Sequence, residues 1–108
     1  MILSLLLLFS CGGAPPAPPA CDTSTPGPAL DSCLHRTIVE SPPSEIEAVT
    51  AAVRQIQDPI VRGAAIFRWV EENNREIPQE QGLALCAMLP SMEKTACERR
   101  LYSAHLQR

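Results

Sequence analysis

Aromatic side chains are scarce in this chain, with one Trp, one Tyr and two Phe among 108 residues. That scarcity argues against a β-sandwich and against stacking platforms for bases or sugars. Histidine occurs only as His35 and His105. No H-E-x-x-H pair, no C-x-x-C knuckle, no glycine-rich phosphate loop and no G-x-S-x-G elbow is present, so no metal or other cofactor is expected. An excess of positive charge is also lacking. The formal net charge is −3, which disfavours nucleic acid as a partner. Carboxylates fall among arginines on helical faces, where solvated pairing is the default, so catalysis is not expected.

The apolar run Ile2 to Phe9 is too short to cross a bilayer. Ten helical residues reach about 15 Å, against roughly 30 Å of hydrocarbon. The run has the length of a signal-peptide core. It ends in Leu8-Phe9-Ser10-Cys11, with Leu three positions before the cysteine and a small residue just before it. This resembles the lipobox of a bacterial lipoprotein signal peptide. The resemblance implies that residues 1–10 are removed and that Cys11 carries a diacylglycerol thioether and usually an amide-linked acyl chain such as palmitate. Two or three chains hold where one holds only marginally, because each buried CH₂ contributes about 0.8 kcal/mol. It also implies an oxidising envelope compartment. Gly12, rather than Asp, follows the cysteine. By the family's sorting rule this favours the outer membrane, with the domain facing the periplasm or the cell surface.

Three segments are expected: the signal peptide 1–10, a lipidated N-terminus and Pro-rich linker 11–29, and a small helical domain 30–108. Ala14-Pro-Pro-Ala-Pro-Pro-Ala20 reads as a polyproline II spacer. At about 3.1 Å per residue, Gly12 to Ala20 spans roughly 28 Å. Residues 21–43 read as irregular. Thr23 to Pro28 and Ser41 to Pro43 break helices, and only Leu30 to Glu40 has room for a turn or two.

Helical signals are dense beyond that point. Ser44 and Glu47 have capping-box spacing. Ile46, Val49, Val53 and Ile56 fall on one helical face. Asp58-Pro59 is a second start, Asp as N-cap and Pro at the first helical position. The helix it opens runs to about Asn74, with Ile60, Gly63, Ile66, Phe67 and Val70 on one side and Ile77 beyond it. Spacing permits Arg68–Glu72 and Glu71–Arg75 pairs. Pro78 opens a shorter third helix through Leu83, Leu85, Met88 and Leu89. Ser91, after Pro90, caps a fourth from Met92 to about Leu106. The fold class is therefore all-α: an irregular bundle of about four short helices, stapled by disulfides.

With Cys11 lipidated, Cys21, Cys33, Cys86 and Cys97 remain, an even number in an oxidising compartment. Cys86 and Cys97 flank the Pro90-Ser91 turn almost symmetrically, which sets them side by side in a helical hairpin. Cys21 and Cys33 then close the N-terminal stretch, a loop worth about 3 kcal/mol in the chain-entropy model. The competing map ties Cys21 or Cys33 to the helical hairpin.

Trp69 lies on the polar side of its helix, away from the apolar stripe. It is either covered by residues 21–43 or is a partner-binding anchor, with Arg62 beside it. Arg99 and Arg100 either offset a helix dipole or meet an acidic partner. These four are the candidate binding residues. The expected function is a lipid-anchored, non-enzymatic envelope module that binds another protein or serves a structural role. In anchor, size and helix content the chain is similar in outline to the pilotins that escort secretins to the outer membrane. A small envelope enzyme is the third reading.

Overall fold

The structure is a computed structural model that describes residues 21–106. The signal peptide, Cys11 and the proline-rich spacer lie outside the described residues. Among the described residues there are five helices: α1 (Pro28–Glu40), α2 (Ile46–Gln55), α3 (Pro59–Asn73), α4 (Gln79–Cys86) and α5 (Ser91–Leu106). A short 3-10 turn, Pro43–Glu45, leads into α2. The described residues contain no strand, and the fold is all-α as expected.

The expectation of an irregular stretch before residue 43 is corrected by α1. Its prolines delimit a helix instead of suppressing one. Pro28 occupies the first helical position, where the missing N–H would have had no intrahelical partner. The Gly27 carbonyl accepts the Asp31 N–H at 3.0 Å, and Pro42-Pro43 ends the run. Between them Leu30, Leu34 and Ile38 recur at helical spacing and are buried.

The capping box at Ser44 does not form. The two prolines start a 3-10 turn there, with the Glu45 N–H bonded to the Pro42 carbonyl at 3.0 Å. Ser44 is thus inside a turn, not in the extended cap position, and α2 has no side-chain cap. The apolar stripe of α2 is as read: Ile46, Val49, Val53 and Ile56 are all buried. Asp58 caps α3, its Oδ1 accepting the Ile60 N–H at 2.8 Å.

Hydrogen bonds and contacts at the helix ends define the topology. Both carboxylate oxygens of buried Asp31, in the first turn of α1, accept backbone N–H groups just beyond α2: Gln57 at 3.0 Å and Asp58 at 3.1 Å. The α2 helix therefore returns the chain to the start of α1. Leu89 and Glu93 lie against Gly63 near the start of α3, so α4 returns the chain in the same way. Helices α1, α3 and α5 run in one direction and pack side by side, while α2 and α4 run back. Pro28, Pro59 and Pro90 stand at the openings of the three parallel helices, evenly spaced along the chain. The result is two helical hairpins and a fifth helix stacked in series, with α3 central and packed against the other four.

Two disulfides staple the ends of the stack. Cys21–Cys33 joins the segment before α1 to that helix, with Cα atoms 5.8 Å apart. Cys86–Cys97 joins α4 to α5 across the Pro90 turn, at 5.6 Å. The local pairing is the one found. Arg68 pairs with Glu72 at 3.7 Å. Glu71 reaches across to Arg100 of α5 at 2.7 Å, a link between helices that the spacing along α3 did not announce.

Candidate functional site

The central position of α3 decides where its side chains go. A helix covered on one side buries one stripe, whereas α3 meets neighbours on several sides. Gly63, Ala65, Ile66, Trp69 and Val70 are all buried. Trp69 has no exposed surface, and its indole N–H donates to the Ser41 carbonyl beyond α1 at 2.9 Å. The segment that looked irregular in the sequence covers it. Trp69 is a core residue, and the surface-anchor alternative is set aside.

Arg62 is likewise engaged within the fold. Its Nη1 donates to the Ile56 carbonyl at 3.0 Å. Together with Asp31 it fixes the short α2–α3 connection from both sides. Arg100 is half-exposed, ion-paired with Glu71 and set over the Phe67 ring, with its guanidinium carbon 5.5 Å from the ring centroid. Arg99, one residue earlier, is exposed to solvent on the far side of α5. The four candidates do not converge: two hold the core together, one borders a groove, and one stands on a separate face.

The groove follows the outward side of α3. Ile60, expected on the inner stripe, is instead 80% exposed. Ala64 and Phe67 continue from it at helical spacing, and Arg68, Glu71 and Glu72 complete the line. His35 of α1 borders the groove on one side, in a cavity of about 580 Å³. Pro90 and Glu93 border it on the other, in a second cavity of about 380 Å³ next to Pro59 and Gly63. The groove thus has an apolar half, Pro59, Ile60, Ala64, Phe67 and Pro90, and a charged half whose arginines and glutamates pair with each other. Gly63 matters here: a Cβ on it would sit 3.5 Å from both Leu89 and the Glu93 carboxylate, so α5 can come close.

Sequence reasoning missed Ile60, Ala64 and Glu93 as site residues. The overlooked signal was that α3 carries more apolar positions than one stripe can hold. Of the two histidines, His35 lines the groove, while the Nε2 of His105 is buried in α5 without a hydrogen-bond partner among the described residues. Among those residues no group of three or more His, Cys, Asp or Glu side chains converges to hold a metal ion, and no helix is long and apolar enough to cross a membrane.

Fold and groove together define a class, a disulfide-stapled stack of helical hairpins with an open face along its middle helix. Comparison with family models, with curated proteins and with solved structures finds no match for the chain.

Proposed function

We propose that this chain is a lipid-anchored protein of the bacterial envelope that binds another protein, without catalysis, through the groove along α3. The observation that carries the reading is the exposed apolar half of that groove. Ile60, at 80% exposure, and the neighbouring Ala64 and Phe67 leave apolar surface in water on a helix that is otherwise the centre of the core. Burying such a patch against a partner gains about 25 cal/mol per Å². The charged half is occupied by the Arg68–Glu72 and Arg100–Glu71 pairs, so the apolar half, with the Glu93 carboxylate at its border, is the part left to be covered. The anchor rests on the Leu8-to-Cys11 motif.

The test has two arms. Cells fed labelled palmitate should incorporate it at Cys11, and Cys11→Ser should abolish incorporation. A photo-crosslinking residue at position 64 should capture one defined envelope protein in intact cells, and Ile60→Asp should abolish the adduct while leaving the fold intact. Absence of label rejects the anchor. A crosslinking pattern unchanged by Ile60→Asp rejects the groove.

A pilotin-like escort role is the more specific form of this reading. It is favoured by the groove's placement between two parallel helices, which suits a short helical peptide. Capture of a secretin from position 64 supports that form, and capture of any other protein excludes it.

A further inference from the structure

Helix α5 is apolar on two opposite sides. Cys97, Leu101 and Ala104 are buried against α3 and α4. At about 100° per residue the opposite side carries Met92, Thr95, Arg99, Tyr102 and Leu106. Met92 and Leu106 are each 86% exposed, and Tyr102 is 47% exposed. Three of the four large exposed apolar residues of the described chain therefore fall on one stripe, roughly 20 Å long at 1.5 Å per residue. In the stack each parallel helix buries one side against the next, α1 on α3 and α3 on α5. The stripe is the side of α5 on which a further helix would continue that stacking.

Arg99 stands midway between Met92 and Leu106. Among the described residues no carboxylate pairs with it. That position selects the occupant. A second copy paired through this stripe about a two-fold axis, parallel or antiparallel, brings Arg99 against its own equivalent, and like charges in register are unfavourable. A bilayer surface takes cations at the edges of an apolar face, where they reach the headgroups, not at its centre. We infer that the outer face of α5 docks an amphipathic helix of a partner protein, with two aliphatic side chains over Met92 and Leu106 and an Asp or Glu between them facing Arg99. This surface is separate from the α3 groove and does not depend on the function proposed for it.

Two synthetic helical peptides test the inference. Each carries Leu at positions matching Met92 and Leu106, and they differ only in Glu or Lys midway. They are titrated into the ¹⁵N-labelled chain in the form cells produce. The Glu peptide should shift the amide signals of residues 92–106 and bind about five- to tenfold more tightly than the Lys peptide. Arg99→Glu should reverse the preference. Met92→Asp with Leu106→Asp should abolish binding of both, and Ile60→Asp in the α3 groove should change neither. Four results overturn the proposal. They are equal binding of both peptides, a preference unmoved by Arg99→Glu, self-association lost in Met92→Asp, and residue 92–106 shifts produced by phosphatidylglycerol vesicles in place of the peptide.

Discussion

Trp69 and Asp31 show how single side chains hold the stack together, and both yield measurable consequences. Trp69 fills the space between α3 and the end of α1 and donates one hydrogen bond to Ser41. Trp69→Ala should cost about 3–5 kcal/mol in urea unfolding. Trp69→Phe should cost less, yet still leave the Ser41 carbonyl without its donor. A stability change under 1 kcal/mol for the alanine variant would contradict its place in the core. Asp31 accepts two backbone N–H groups at once. Asp31→Ala strands both, and should cost about 1–3 kcal/mol. Asn keeps one acceptor and should lose roughly half as much. Asp22 is the contrasting surface case. The Ser24 hydroxyl, and then the Ser24 N–H, bond to its carboxylate and hold it below the usual aspartate range. A folded value below the unfolded one means that this contribution is present above the ordinary aspartate range and is lost as pH falls through the lowered value. An NMR titration should place the Asp22 midpoint low, and Ser24→Ala should return it toward the usual range.

At the scale of the helix, two buried glycines make opposite predictions. Gly63 in α3 has room for a methyl group, its nearest neighbours being 3.5 Å away. Gly63→Ala should stabilise the protein by about 0.5–1 kcal/mol, the ordinary helical gain of alanine. In α4 a Cβ on Gly82 would sit 2.9 Å from both Leu101 methyl carbons and 3.1 Å from Ile77. Leu101 is itself fully buried, so overpacking costs about 1–3 kcal/mol and outweighs the helical gain. Thermal unfolding of the two variants should therefore move in opposite directions. Helices differ in the same way in how openly the sequence displays them. The second to fifth were legible because each has a local signal that packing does not override: the single stripe of α2, the Asp58-Pro59 start of α3, the Pro78 start of α4, which ends at Cys86 short of the expected Leu89, and the Pro90 turn before α5. The first was hidden because its two flanking proline clusters were weighed as helix breakers, although Pro at a helix start is neutral. The outward line of α3 was misread because a wheel centred on one stripe assumes one covered side. A helix packed against four neighbours buries Ala65 and Trp69 as well and pushes Ile60 into solvent. The α5 stripe stayed hidden for a related reason, since apolar residues on two opposite sides cancel in any one-sided reading.

For the molecule as a whole, stability depends on two short covalent loops placed in different surroundings. A domain this small supports a modest core, and crosslinks commonly make up the difference. Each disulfide closes a short loop, so the chain-entropy model assigns about 3 kcal/mol to either. That is a large share of the 5–15 kcal/mol typical of a folded domain. Their accessibility separates them. Cys86 and Cys97 are fully buried between α4 and α5, whereas Cys21 and Cys33 are half-buried near the start of α1. Exchange requires a thiolate to reach one of the two sulfurs. A limiting dithiol reductant should therefore open Cys21–Cys33 first. Alkylation and peptide mapping should find label at those two positions while the helical circular dichroism is nearly unchanged, because Leu30, Leu34 and Ile38 still pack α1 against α2 and α3. Opening Cys86–Cys97 should require unfolding. Helix α4 spans only eight residues and is too short to persist alone, so Cys86→Ala with Cys97→Ala should lower Tm by about 10–20 °C and release α4 and α5 together. Label appearing first at Cys86 and Cys97 would mean that the α4–α5 hairpin opens more readily than its burial allows, and would remove the rigid backing that the α5 docking stripe requires.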